Sequence, residues 1–140
     1  MEKVTAARLV GDAEPGVIAL QKWIDAVNAR EVEALVAMYD STARLLPTFS
    51  PHFMKTAESI RAYFEALVSR PNVSVELHTH AVVAQQLAET VYGVSGMYSF
   101  RFEVDEVLLT FPSRFSFVID TSKASPIVHH HSSQVPRNLS

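Results

Sequence analysis

Arg114 and His130 are the side chains whose type and setting offer the most chemistry. Arg114 lies in the run Ser113–Val118, flanked by Phe115 and Phe117, which point to the opposite face of a strand. A guanidinium held mid-strand in a buried sheet needs an anion or several acceptors. Two readings follow: a clamp on a carboxylate-bearing ligand, or a structural pair with an internal acid such as Glu76 or Glu89. His129, His130 and His131 follow one another in a second run of strand type. There His129 and His131 share a face, and His130 points the other way with Val128 and Ser132. Imidazole suits acid–base work near neutral pH, so His130 is the candidate catalytic group. Hydrogen bonding within the sheet, or across a subunit interface, is the structural alternative. A metal would need His129 and His131 plus a third ligand such as His78 or His80. Two histidines at i and i+2 do not specify one, and no metal is expected.

Other candidates come from apolar faces. Tyr39 and Tyr63 recur at helical spacing, with hydroxyls able to enter a pocket or simply to pack. Trp23 reads as core or pocket wall. His80 shares a face with His78 and suits a rim or an interface. The acids are poorly placed for catalysis: Asp105 falls in a turn, Asp120 at a strand end and Asp40 at a helix end. No G-x-G-x-x-G loop occurs, no serine stands in a nucleophile elbow, and no cofactor is expected. With no cysteine in the chain, thiol catalysis, Cys-based zinc sites and disulfides are excluded.

These residues need a scaffold, and the 140-residue length predicts one domain over 1–140, with its core at about 13–137. Apolar residues make up 48% of the chain, enough for a full core. The net charge is -3 and no basic block exists, so neither nucleic acid nor a membrane surface is an expected partner. No apolar run approaches membrane-spanning length. Met1-Glu2-Lys3-Val4 lacks a signal-peptide apolar region, and a cytoplasmic location is expected.

Asp12 reads as a helix N-cap, with Val17, Leu20, Ile24 and Val27 at helical spacing after it. That helix ends near Asn28-Ala29-Arg30. A short second helix places Val32, Leu35, Val36 and Tyr39 on one face. Residues 43–48 and 52–55 read as a hairpin of short strands. Thr56 caps a third helix, which Pro71 stops. Four long strands follow, at 73–86, 89–102, 107–120 and 126–135. Helices first and sheet last make the class α+β.

A turn centred near Val104-Asp105 pairs positions whose numbers sum to about 209, a rough register from hairpin geometry. One face then carries Tyr92, Val94, Gly96, Tyr98, Phe100, Phe102, Phe115, Phe117 and Ile119. The other carries Val91, Gly93, Ser95, Met97, Ser99, Arg101, Arg114, Ser116 and Val118. Both read as too apolar for plain exposure. One must pack on the helices and the other on another chain, so a homo-oligomer is expected. Periodicity alone sets the aromatic face against the helices.

Several strings carry a resemblance. Trp23–Asp40 (WIDAVNAREVEALVAMYD) resembles the opening helices of nuclear transport factor 2-like domains, and Ser59–Val68 (SIRAYFEALV) their third helix. Arg114–Val118 (RFSFV) followed by Ile127–Pro136 (IVHHHSSQVP) is similar to the ending of SnoaL-like proteins. It also resembles the calcium/calmodulin-dependent kinase II association domain and a bacterial subgroup carrying the SgcJ/EcaC oxidoreductase name. The likeness spans roughly residues 15–137 and implies a cone-shaped curved antiparallel sheet wrapped around N-terminal helices, a cystatin-like α+β roll with a pocket.

In the association domain, arginines line that pocket. The resemblance matches Arg114 to one of them and Met97 and Ser132 to two others, so the arginine cluster is incomplete here. The usual Gly-Lys-Trp turn is replaced by Ser122-Lys123-Ala124-Ser125-Pro126. On this basis the Arg114 face, with Met97 and Arg101, would line the pocket, joined by Tyr39, Tyr63, Trp23 and His80. Some relatives use a tyrosine as an oxyanion donor. The fold hosts isomerases, dehydratases, binding proteins and pure assembly modules. Two functions therefore stand: binding of, or cofactor-independent chemistry on, a small organic acid or polyketide-like ligand, with His130 assisting; or homo-oligomerisation as a scaffold.

Overall fold

The computed structural model describes residues 14–136; the Asp12 cap lies outside them. Helix α1 (Glu14–Asn28) buries Val17, Leu20, Trp23, Ile24 and Val27, the stripe expected from their spacing. Arg30, with φ 57°, ends it in the left-handed region. Helix α2 (Val32–Ala37) is short. Helix α3 (Ala57–Val68) starts at Thr56, as expected. Thr56 Oγ1 accepts from the Ser59 N–H at 3.1 Å, and Ser59 Oγ accepts from the Thr56 N–H at 3.2 Å, a capping box.

The strands are β1 (Tyr39–Leu46), β2 (Ser74–Leu77), β3 (Val83–Gln86), β4 (Val91–Val104), β5 (Val107–Asp120) and β6 (Ile127–Gln134). They form one sheet in the order β1-β6-β5-β4-β2, with β3 also paired to β4. Three local expectations need correction. Tyr39 opens β1 instead of closing a helix. β1 pairs with β6 in parallel, whereas the other pairings are antiparallel. The expected strand at 73–86 is broken by a 3-10 turn over Thr79–Ala81. That turn presses its backbone onto Gly96, where a Cβ would stand 2.3 Å from the Ala81 carbonyl oxygen. Only glycine admits so close a crossing.

The β4–β5 hairpin turns at Asp105-Glu106, both with positive φ (52° and 67°), as a two-residue hairpin loop requires. Val104 faces Val107 and Val91 faces Asp120, so the register sits two residues from the expected one. An even slip leaves every side chain on its expected face. The aromatic set (Tyr92, Tyr98, Phe100, Phe102, Phe115, Phe117) is buried. The helices cover it: at Gly16 of α1 a Cβ would come within 2.8 Å of a Val94 methyl. Asn28 ties the end of α1 to β2. Its Nδ2 donates to the Val75 carbonyl at 2.9 Å, and its Oδ1 accepts the Val75 N–H at 2.8 Å. One amide thus satisfies backbone groups of β2 on the side away from β4.

The Arg114 face is the opposite one, with no helix of the described residues over it. Arg114 and Arg101 are exposed there, and Met97, paired across from Arg114, is half-buried. This corrects the expectation, taken from resemblance, that Arg114, Met97 and Arg101 face the interior. Eight large aromatic and aliphatic side chains on the alternate parity bury far more apolar area than the Arg114 parity does, and a guanidinium is costly to desolvate.

Candidate functional site

Six polar side chains run in a row through the aromatic interior. α1 supplies Trp23, the first residue of β1 supplies Tyr39, β4 supplies Tyr98, β6 supplies His130 and Ser132, and the segment after β1 supplies Thr48. Trp23 Nε1 donates to Tyr39 Oη at 3.0 Å. Tyr39 Oη lies 2.8 Å from His130 Nδ1, and His130 Nε2 lies 3.1 Å from Tyr98 Oη. Tyr98 Oη donates to Ser132 Oγ at 2.8 Å, and Ser132 Oγ bonds to Thr48 Oγ1.

Two bonds of fixed direction, Trp23 to Tyr39 and Tyr98 to Ser132, set the rest once every buried hydrogen is given a partner. An indole N–H donates and cannot accept. Tyr39 therefore accepts from Trp23, and its one hydrogen goes to His130 Nδ1. That nitrogen is then an acceptor, so the imidazole is neutral with its proton on Nε2, which donates to Tyr98. Tyr98 passes its hydrogen to Ser132, and Ser132 to Thr48. Read so, no buried polar atom of the row lacks a partner, in keeping with the full satisfaction of buried side-chain polar atoms among the described residues.

The aromatic shell reinforces this. His130 stacks on Phe117 at 3.8 Å and meets the edge of Trp23 at 5.2 Å. Trp23 in turn stacks on Tyr98 at 5.4 Å. Burial pushes the His130 imidazole well below its ordinary 6.5, and the neighbouring His129 and His131 push the same way. Burial likewise raises the Tyr39 and Tyr98 hydroxyls far above 10, against the bonds from Trp23 and to Ser132. A neutral imidazole between two neutral phenols is a rigid polar strut at physiological pH.

The space left beside it is about 10 Å³, bordered by Trp23, Tyr63, Tyr98, Phe100, His130 and Ser132 among others. That volume holds at most one water. Trp23, Tyr39, Tyr63 and His130 are thus brought together. Arg114, Met97 and Arg101 lie across the sheet, and Arg114 forms no ion pair with Glu76 or Glu89. His80 is exposed in the 3-10 turn, while His78 bonds to Ser99 at 2.8 Å on the outer face. Tyr98, Ser132 and Thr48 complete the row. The first two share the buried parity of Phe100 and His130, which is their signal in sequence; Thr48 has none.

Residues 15–136 match the family model described as the calcium/calmodulin dependent protein kinase II association domain. The chain belongs to this association-domain family. Among solved structures, the association domain is similar to a Xanthomonas campestris protein assigned to the same domain, with TM-score 0.81, 22% identity and 91% of each chain covered. It is also similar to an NTF2-like protein with a cystatin-like fold from Novosphingobium aromaticivorans (TM-score 0.73, 12% identity, 97% of this chain and 90% of that one). A ketosteroid isomerase-like protein from Erwinia carotovora atroseptica matches with TM-score 0.67 and 12% identity, over 86% and 93% of the two chains. These likenesses establish the α+β, NTF2-like fold. No curated protein matches the chain. No helix among the described residues is long and apolar enough to cross a membrane.

The neutral imidazole has a measurable consequence. The unfolded chain gains a proton on this histidine below pH about 6.5, and the folded one does not. The stability it contributes is therefore complete above pH 6.5. It falls as pH drops toward the lowered folded value, by at most about 1.4 kcal/mol per pH unit. Long-range ¹H–¹⁵N spectra at pH 6 should show the His130 imidazole neutral and protonated on Nε2. His130→Phe should cost about 1–3 kcal/mol for each group it orphans and weaken the acid limb of the stability curve.

Proposed function

We propose that this chain is an association module, pairing with further copies of itself through the outer face of the sheet. The observation that carries this reading is the contrast between the two faces. The inner face is closed around the polar row, with about 10 Å³ beside it. The outer face is open and built for close approach. Its centre is small, with Gly93 and Ser95 on β4 and Ser116 on β5, where the two serine hydroxyls bond at 3.2 Å. Around that centre stand Val91, Met97 and Val118, together with Val83 and Leu87, which are 57% and 53% exposed. Leu87 reaches toward Gly93, and its methyl lies 3.3 Å from where a Cβ would be. Basic Arg44, Arg101 and Arg114 and acidic Glu76 and Glu103 flank the patch, a mixture that a two-fold axis can make self-complementary. A standard interface takes roughly 800 Å² from each partner, about a tenth of the 7810 Å² surface.

Light scattering of the purified chain should give a mass that is a multiple of 15.5 kDa. Ser116→Arg, at an exposed position, should reduce it to the single-chain mass with the circular dichroism retained. A wild-type protein that stays at single-chain mass at the highest soluble concentration would contradict the reading.

A second reading, binding of a small organic ligand inside the cone, is favoured by one observation. A polar row crosses an otherwise aromatic interior, and its last members, Thr48 and Ser132, also line a surface groove. The 47–53 segment would have to move to admit anything larger than water, after which His130 and the two tyrosines offer hydrogen bonds to a carbonyl. This ligand reading predicts that neutral aromatic ketones raise the unfolding midpoint by mass action, an effect lost in Tyr98→Phe. The association reading predicts no shift with any of them.

A further inference from the structure

The groove on the far side of the Thr48–Ser132 pair has a different character from the interior. It has a volume of about 330 Å³ and lies between the 47–53 segment and the end of β6. Thr48, Ser50, His52, His131, Ser133 and Gln134 supply its polar lining, and among the described residues no aspartate or glutamate borders it. His52 and His131 are exposed, and Thr48 is half-buried between the groove and the interior.

The bond directions derived above fix what Thr48 presents. Ser132 accepts from Tyr98 and is buried, and Thr48 Oγ1 is the side-chain acceptor within reach of its own hydrogen. Thr48 Oγ1 then accepts from Ser132, and its hydrogen remains to be placed. No other side-chain bond engages it among the described residues, and the groove is where it can turn. Ser50 stands likewise: its Oγ accepts the His52 N–H at 3.1 Å and keeps a hydrogen to give. Each hydroxyl in a directed chain is polarised by the donor behind it, which strengthens the last one. The groove therefore combines a polarised hydroxyl, further hydroxyls, a side-chain amide and two imidazoles, with no carboxylate among the described residues that line it.

We propose that this groove is a binding site for a small oxyanion, a carboxylate or a phosphate group, held by Thr48, His52 and His131. The site lies outside the cone, and through His131, which pairs with Ser116, it adjoins the face assigned to association. A charge-assisted bond from a hydroxyl or an imidazole is the kind that repays desolvation of an anion at a surface.

The test uses the full chain, with the histidine ring signals followed by NMR. Inorganic phosphate and acetate are titrated separately against chloride at fixed ionic strength. The expected result is a saturable shift of the His52 and His131 signals with phosphate, acetate or both, which also tells the two ligand types apart, and none with chloride. His52→Ala and His131→Ala, both at exposed positions, should each weaken binding several-fold without changing the unfolding midpoint. Thr48→Val should weaken it roughly tenfold, as expected for one hydrogen bond to a charged acceptor. Because Thr48→Val also removes the acceptor for buried Ser132, the two histidine variants decide the matter if it fails to fold. Shifts that are linear, equal with chloride, or unchanged in the histidine variants would overturn the proposal.

Discussion

Trp23 carries a single hydrogen-bonding group, one that donates and never accepts, and it stands where α1 meets the sheet. That asymmetry and the bond from Tyr98 to Ser132 together set the protonation of the interior. Tyr39 accepts from Trp23 and Tyr98 gives its hydrogen to Ser132, so the neutral imidazole accepts from Tyr39 at Nδ1 and carries its proton on Nε2, toward Tyr98. The indole also provides the surface on which this row is packed. Phe64, Phe100, Phe117 and the His130 ring meet it edge-on, and Tyr98 stacks on it. One residue thus sets both the packing and the polarity of the cone. A helix, three strands and a loop are joined through it.

The same row explains why the interior is full. A buried polar group is tolerated only when its partners are complete, and here the protein supplies them all. An enzyme or binding pocket of this fold would leave some of these groups for its ligand. In this chain the unspent donors lie outward, at Thr48 and Ser50, and the exposed apolar residues Val83 and Leu87 lie on the outer face near Gly93. Assembly and surface recognition therefore fit the molecule better than chemistry within the cone does, in line with its membership of the association-domain family.

Much of this was legible in the sequence, because parity survives errors of register. The β4–β5 pairing was misplaced by two residues, yet Tyr98, Phe100, Phe115 and Phe117 fall on the expected face. His130 and Ser132 follow from the same alternation on β6. At Arg114 the resemblance and the alternation disagree: alternation sets Phe115 and Phe117 inward and Arg114 outward, as the structure has them, and a shift of one residue moves a side chain through the sheet. Other features were out of reach for physical reasons. The break in the expected strand at 73–86 depends on the backbone of Ala81 crossing Gly96, a contact between distant residues. Tyr39 sits at helical spacing from Leu35 and Val36, and only its pairing with Ile127 of β6 draws it into a strand. Thr48 acquires its role from Ser132, 84 positions away.

The closed, self-satisfied interior is the central claim, and the chain has a single tryptophan with which to probe it. Native-state hydrogen exchange of the Trp23 indole N–H reports whether the cone opens short of unfolding. The account predicts exchange only through global unfolding, with a protection free energy equal to the stability measured by denaturant. Protection well below that value, unaffected by denaturant, would show the 47–53 segment opening onto the polar row. It would return the interior to the status of a ligand pocket.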